Sequence, residues 1–309
     1  MGGYSMRQSV NGKKMRLSAG RVAFLAINYI FLTLITFICI FPIINVLAIS
    51  FSASWAAGGG LVKFWPVGFT LNSYKYVLTK KEFYNSFFIS LKRLGLGVAI
   101  NMLLTVLSAY PLSKNKQRFG ARSFYSMFFL ITIIFGGGLI PWYMTIQAVG
   151  ILDTIWALVL PSAVPVFNVI LLMNFFRQLP DEIEESALLD GAGYWTALFR
   201  IAIPLSLPCI ATLILFTTVN HWNSWFDGLI LMNNPKRYPM QSYLQTVVTG
   251  LDAKLWRGLT LADIQMLSEI NDKTTKAAQV FLAALPIFCV YPFLQRYFMT
   301  GIVLGSVKG

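Results

Sequence analysis

The sequence predicts an all-α membrane protein with six transmembrane helices. Of its 309 residues, 56% are hydrophobic and only 12% are charged, whereas soluble domains carry about 25% charged residues. Six stretches are apolar and long enough to cross a hydrocarbon core of roughly 30 Å, which takes about 20 helical residues. None of them shows the strict polar and apolar alternation of a membrane barrel, so helices are the expected spanning form.

The six predicted spans are separated by polar connections. They cover residues 22–49, 83–110, 124–146, 155–176, 205–226 and 276–299. The first apolar stretch is far longer than the roughly 7–15 apolar residues of a signal peptide, so we expect it to be a retained helix. One membrane domain over residues 22–299 therefore lies between a basic tail, 1–21, and a C-terminal tail, 300–309.

Glycine and proline predict breaks inside several spans. The run GGGLIP at 136–141 is expected to break or end the third helix. Pro161 and Pro165 remove two backbone donors one turn apart and should kink the fourth, as Pro42 and Pro286 should the first and last. Broken helices at membrane depth can line a cavity, although local bending in a packed bundle explains any one proline equally well.

The distribution of basic residues predicts the orientation. The N-terminal tail holds five Lys and Arg residues and no acid, and the connection between spans two and three is also purely basic. The connection at 141–154 contains Asp153 and no base. The positive-inside rule then places both termini in the cytoplasm, with large external loops at 51–82 and 227–275. The net charge of +13 is thus explained by topology and anionic headgroups, without nucleic acid.

Acidic residues concentrate in the connection between spans four and five. Five of the twelve Asp and Glu residues fall within ten positions: Asp181, Glu182, Glu184, Glu185 and Asp190. A helix is expected to begin after Pro180, because acids suit a helix N-terminus, and to stop at Gly191 and Gly193. A second short helix at 194–203 completes a hairpin over 181–204. This hairpin could dock a partner protein, or its acids could simply be solvated.

The amino-acid sequence of this hairpin resembles a known motif. Its three parts are Glu185-Ser186-Ala187, Asp190-Gly191 and Ile203-Pro204. The chain is similar here to the EAA motif of binding-protein-dependent ABC importer permeases, with Ser186 in place of the middle Ala. The stretches LSAYPLSK, GGGLIPWYM, HWNSWFDGLI and LQRYFMTGIVLGSVKG extend the resemblance over nearly the whole chain, toward the maltose-type, G-subunit-like branch that imports oligosaccharides and complex polysaccharides. Two departures are the basic pair in span two and the longer N-terminal tail.

The resemblance implies the architecture of a type I ABC importer in the bacterial plasma (inner) membrane. Its parts are this permease, a second permease that is expected to be a different chain, two cytoplasmic ATPase subunits, an extracytoplasmic solute-binding protein and an oligosaccharide cargo. The residues that the resemblance assigns to a coupling helix in an ATPase groove are Glu185, Ser186, Ala187, Asp190 and Gly191. ATP and Mg²⁺ would be bound by the partner ATPase, since the sequence contains no G-x-x-x-x-G-K-[ST] phosphate loop.

Aromatic and polar residues are candidates for the substrate path. Trp222, Asn223 and Trp225 combine ring faces with an amide, which suits sugars, although an aromatic belt at the outer interface is an alternative. Asn168 could line the path or could bond between helices.

Two basic residues inside the second span raise a further question. Lys92 and Arg93 could border a water-filled pathway and attract an acidic sugar. Alternatively, span two starts later and both residues lie in the outer headgroup zone.

Catalytic and metal sites are not expected. His221 is the only histidine, and the three cysteines are far apart, so neither a nucleophile–base pair nor a metal-ligand spacing is present. The chain is therefore expected to be a transport subunit and not an enzyme. Two alternatives remain open, namely import of a polyamine or peptide by the same architecture, and an ion-driven secondary transporter. The second would need intramembrane carboxylates, and none falls clearly inside a predicted span.

Overall fold

A computed structural model of the chain describes residues 19–115, 117–249 and 272–306. The fold is all-helical: these ranges form α-helices, 3₁₀-helices and a π-helix, and no strand occurs within them. The α-helices are α1 Ala19–Ser50, α2 Ser54–Gly58, α3 Asn72–Thr79, α4 Lys81–Ser113, α5 Arg122–Ile134, α6 Leu139–Ala148, α7 Ile155–Val159, α8 Val166–Phe176, α9 Asp181–Leu189, α10 Tyr194–Ala197, α11 Ile203–Leu205, α12 Leu207–Asn223, α13 Phe226–Leu231, α14 Met240–Val248 and α15 Asp272–Ser306.

Several sequence predictions concern residues beyond these ranges. They are the basic tail up to residue 18, Lys116 in the basic connection, residues 250–271 of the second external loop and residues 307–309 of the C-terminal tail, all of which lie outside the described residues.

Two continuous helices are long and apolar enough to cross a membrane, Gly20–Ser50 and Lys81–Ser113. Among the described residues, up to five spans result if each of three bent helix pairs counts as one. These pairs are α5 with α6, bent by 118°, Ile155–Ser162 with α8, bent by 46°, and Tyr194–Leu205 with α12, bent by 81°. Helix α15 covers the sixth predicted span. The number of six spans stays a prediction.

Glycine and proline produce the breaks that the sequence predicts in the third and fourth spans. Helix α5 ends at Ile134 and α6 begins at Leu139, so the predicted break at GGGLIP is confirmed within the third predicted span. In the fourth span, Pro161 lies in a 3₁₀ turn and Pro165 precedes the first residue of α8. Both prolines lack the N–H that a continuous helix needs. Helices α1 and α15 instead continue past their internal prolines.

Helix α4 is the centre of the bundle, where it packs against α8 and α12. Its buried face carries small and polar residues, among them Gly97, Asn101, Thr105 and Ala109. Small residues let helices approach closely where hydrophobic association is weak. The approach is closest at Gly97, where an added Cβ would lie 2.5 Å from Nε2 of His221.

Helix α1 has a different environment, because nearly all its side chains before residue 45 are exposed and apolar. It packs along α15, and residues near its end join a small cluster of Ala48, Ala56 and Val62. A helix that is apolar on all sides is suited to lipid or to the surface of another membrane chain.

The polar features lie at opposite ends of this bundle. The end of α4 near Tyr110 packs with α8 and with the segment around Leu198, next to the acidic hairpin. The start of α4 near Phe83 packs with α14 and α15. The acidic hairpin and the aromatic cluster around Trp222 are thus connected to opposite ends of the same central helix.

Candidate functional site

The acidic hairpin forms as the sequence predicts. Helix α9 begins directly after Pro180 and carries three acids in its first turn, where the helix dipole favours negative charge. At the other end Gly191 has a φ of +85°. The Gly191 N–H donates to the carbonyl of Leu188 at 3.1 Å, and the Ala192 N–H donates to that of Ala187 at 2.9 Å. These two bonds form a Schellman cap, which favours glycine at the left-handed position.

The second arm of the hairpin runs from Tyr194 to Leu205, two residues beyond the predicted end. Its middle, Leu198–Ala202, is a π-helical turn that buries Leu198 and Ala202. Pro204 lies in the last turn, and the chain then bends by 81° into α12. This arm therefore connects the turn of the hairpin to the bundle.

Glu184 forms the polar contacts between α9 and the end of α4, and sequence reasoning did not select it. Its carboxylate forms an ion pair with Lys114, lies 3.6 Å from Nη1 of Arg118 and accepts a hydrogen bond from the Tyr110 hydroxyl at 3.2 Å. The Lys114 ammonium also lies 4.1 Å from the centre of the Tyr110 ring. These groups tie the start of α9 to the end of α4.

Glu185 points away from this contact and is 56% exposed, although Nη2 of Arg118 reaches its Oε1 at 2.9 Å. Of the other predicted docking residues, Ser186 is exposed and donates to the carbonyl of Ile183, and Ala187 is half-buried. Asp190 and Gly191 are exposed at the turn. Neighbours on a helix face different directions, so Glu184 and Glu185 differ in exposure although Arg118 contacts both. The purely basic connection after α4 was the sequence signal that could have identified Glu184.

An apolar surface lies beside these carboxylates. It consists of Leu189, which is 89% exposed, and the exposed Tyr194, Trp195 and Phe199. We call these four residues the tip patch. Exposed apolar clusters on otherwise polar segments mark binding surfaces. The hairpin thus presents three features to a partner protein: apolar area, the Glu185 carboxylate and a glycine turn.

The aromatic and amide residues predicted for the substrate path share a cavity at the other end of the bundle. The cavity has a volume of about 370 Å³. Trp222, Asn223 and Trp225 line it together with two amides that sequence reasoning missed, Gln241 and Gln245 of α14. The other lining residues are apolar: Leu244, Val248, Val280, Ala283, Ala284, Ile287 and Phe288.

The three predicted residues of this cavity are held differently. Trp222 is buried, and its indole Nε1 donates to the carbonyl of Ala283 at 3.1 Å. Asn223 and Trp225 are exposed. Ring faces and amides without a charged group suit the apolar faces and hydroxyls of a neutral sugar.

Arg93, which was expected either to border a pathway or to lie in the headgroup zone, is buried within this chain. Its side chain is 2% exposed and is ion-paired with Asp227. Nη1 also donates to the Ser224 carbonyl at 3.2 Å and to Oδ1 of Asp227 at 3.1 Å. The carboxylate in turn accepts from the Gly228 N–H at 2.8 Å. Lys92, by contrast, is exposed on the surface of α4, which begins at Lys81.

Asn168 also departs from the predicted pathway. It is buried, and its Nδ2 donates to the Thr217 hydroxyl at 3.2 Å, which joins α8 to α12. This matches the second interpretation, a bond between helices. His221 is buried against Gly97. In the part of the chain that the structure describes, no group of three His, Cys, Asp or Glu side chains could hold a metal ion.

Comparisons with known proteins identify the family of this chain. The family model described as "Binding-protein-dependent transport system inner membrane component" matches residues 98–303. Protein LplC of Bacillus subtilis (strain 168) is 38% identical over 94% of this chain and 96% of its own length. The polygalacturonan/rhamnogalacturonan transport system permease protein YtcP of the same organism is 35% identical over 91% of this chain and 96% of its own length.

A solved structure is similar over nearly the whole chain. It is a bacterial ABC transporter involved in the import of the acidic polysaccharide alginate. The TM-score is 0.84 at 27% identity, and the match covers 92% of this chain and 99% of the other.

Proposed function

The chain belongs to the binding-protein-dependent transport system inner membrane components, and on this premise we propose that it forms half of the translocation pathway of an ATP-driven oligosaccharide importer. The observation that carries the proposal is the match along more than 90% of the chain to a permease named for plant polysaccharides and to an alginate importer. The cavity with two tryptophans and three amides supports a sugar cargo, because it contains ring faces and hydrogen-bonding groups but no charge.

The assembly follows from the family. This permease works with a second permease, with ATPase subunits and with an extracytoplasmic binding protein, and ATP and Mg²⁺ belong to the ATPase chain. We expect the second permease to be a different chain. We also expect six spans, with α15 as the last, both termini in the cytoplasm, and a location in the bacterial plasma membrane. The basic residues at the hairpin end of α4 support this orientation.

The hairpin is proposed to couple the permease to the ATPase. Glu184 faces inward and holds α9 to α4, whereas Glu185 and the tip patch face outward and are accessible to a partner. A push on the tip would be transmitted through the inward ion pairs to the central helix. Coupling of this kind requires that the two states of the permease contact the ATPase differently.

The lining of the cavity suggests that this chain does not itself select for acidic cargo. None of its lining residues is charged, and Arg93 is neutralised by Asp227. Lys92 remains the candidate for attracting an acidic sugar. If it has that role, Lys92→Gln should reduce uptake of an acidic oligosaccharide more than uptake of a neutral one.

A cargo screen on the complete complex tests the proposed function. The complex with its binding protein is reconstituted, and its ATPase rate is measured with oligogalacturonides, neutral oligosaccharides, a polyamine or a peptide. Stimulation by an oligosaccharide is the expected result. Stimulation by the polyamine or peptide alone would contradict it.

A further inference from the structure

A second cavity lies behind the hairpin, at the end of the bundle opposite the aromatic cavity. Its volume is about 220 Å³, several times the roughly 30 Å³ that one water occupies. Four basic residues line it, Lys114, Arg118, Arg122 and Arg177, together with the acids Asp181 and Glu184. A phosphate-sized anion fits in this space.

The acids neutralise only part of this positive charge. Glu184 is paired with Lys114 and Arg118. Within the described residues, neither Arg122 nor Arg177 forms an ion pair with a carboxylate. Asp181 also lines the cavity, but its side chain is exposed.

The two arginines line the same cavity and have hydrogen-bond donors to spare. Nη2 of Arg177 donates to the Leu112 carbonyl at 3.1 Å and contacts Met173 Sδ at 3.2 Å. The side chain of Arg122 forms no hydrogen bond with a described residue. Partial desolvation, and secondly the charge of Arg122, lower the pKa of the Arg177 guanidinium, although much of this residue is exposed. A bound anion would offset the repulsion between the two positive charges.

We propose that this cavity binds the phosphate group of an anionic ligand, held by Arg122 and Arg177. Guanidinium groups present paired N–H donors that match phosphate oxygens, so two of them form a strong and directional site. The cavity lies where α4 and α8 end and α5 begins, at the ends of predicted membrane spans, where we expect lipid headgroups. Basic pockets between membrane helices at such positions bind phospholipid headgroups.

The phosphate could come from a phospholipid or from a soluble anion, and the position at the helix ends favours the lipid. In either case the ligand would contact α5, the end of α8 and the base of the hairpin together. The inference does not depend on which cargo is transported.

Binding of a phospholipid is tested on the purified, delipidated importer complex. Phosphatidylglycerol is titrated against zwitterionic phosphatidylcholine, and bound lipid is counted by native mass spectrometry. The complex should bind one phosphatidylglycerol preferentially, and Arg122→Gln should weaken that binding by about tenfold or more, because a charge-assisted contact is lost. Arg122 is the first choice because its side chain supports no described hydrogen bond. Arg200→Gln is the matched control, since Arg200 is exposed on the hairpin and does not line the cavity.

Inorganic phosphate is the probe of the second arm, measured by calorimetry on the same proteins. Phosphate binding that Arg122→Gln abolishes would support the site with a soluble ligand as its source. A second variant is Arg177→Lys, which keeps the charge but loses the paired donors. It should weaken binding of whichever probe the unchanged complex binds. If Arg122→Gln binds both probes as tightly as the unchanged complex, or if that complex binds neither, the proposal is overturned.

Discussion

Adjacent carboxylates on α9 differ in exposure and contacts because one turns toward α4 and the other away from it. Glu184 is 15% exposed and touches Lys114, Arg118 and Tyr110, whereas Glu185 is 56% exposed and has Arg118 alone. Charges that are largely removed from water depend strongly on their partners, but exposed pairs contribute only about 0–1 kcal/mol. The stability of the hairpin should therefore depend on Glu184, and contact with the ATPase on Glu185.

We expect Glu184→Gln to lower the thermal stability of the purified complex and Glu185→Gln to leave it nearly unchanged. Hydrogen bonds to charged groups contribute about 1.5–3 kcal/mol, and Glu184 loses several of its partners at once. Glu185→Gln should instead reduce ATP-driven uptake. Thermal unfolding and uptake, measured on both variants, separate the two effects. Equal stability loss in both variants would mean that the inward contact of Glu184 has no special importance.

At the scale of the element, the hairpin depends on one left-handed glycine. Gly191 has a φ of +85°, whereas Gly193 has a φ of −76°. A Cβ added at either position would meet nothing within 4 Å. The two glycines thus differ in backbone conformation and not in available space.

Gly191→Ala should therefore destabilise the turn by about 1–2 kcal/mol, the cost of a left-handed conformation for a residue with a Cβ. Gly193→Ala is the matched control and should have little effect. The expected result for Gly191→Ala is ATP hydrolysis that no longer drives uptake at the normal ratio. That ratio, measured for both variants in proteoliposomes, is the test. Normal coupling in Gly191→Ala would contradict the proposed role of the turn.

The contact between α4 and α12 offers a second element-scale test. A Cβ at Gly97 would lie 2.5 Å from the buried His221 ring, whereas a Cβ at Gly95 on the same helix meets nothing within 4 Å. Overpacking of a tight contact costs about 1–3 kcal/mol. Gly97→Ala should lower the midpoint of thermal unfolding, and Gly95→Ala should not. A fall of equal size in both variants would show that the His221 approach does not determine the result, because the higher helix propensity of Ala would raise stability at both positions.

Local chemistry made these elements predictable. The run GGGLIP, the two prolines of the fourth span, and the turn at Gly191 each act within a few residues, and the structure has breaks and a cap at those positions. The π-helical turn at Leu198–Ala202 and the continuation to Leu205 had no such signal. They depend on how the arm packs against the end of α4.

Across the whole molecule, the pairings that join distant segments were not predictable from sequence. Arg93 and Asp227 are 134 residues apart, and Lys114 and Glu184 are 70 apart. Sequence alone grouped Arg93 with its neighbour Lys92, although the helix turns the two side chains in different directions. The lining of the aromatic cavity was also not predictable from sequence, because the packing of α14 brings the amides of Gln241 and Gln245 to the cavity that Trp222 lines.

The buried ion pair also bears on the mechanism of the whole transporter. A carrier driven by an ion gradient needs an intramembrane carboxylate that can exchange its proton or ion. Asp227 is held by Arg93, Ser224 and the Gly228 N–H. Its negative charge is thus already compensated by groups of this chain.

Uptake into vesicles tests the central claim most directly. The chain is reconstituted with its second permease, ATPase subunits and binding protein, ATP is enclosed on the ATPase side, and a labelled oligosaccharide is added with the binding protein outside. Accumulation of the oligosaccharide that requires both ATP and the binding protein is the predicted result. Accumulation driven by an ion gradient without ATP, or no accumulation of any oligosaccharide while a polyamine or peptide is imported, would contradict the assignment.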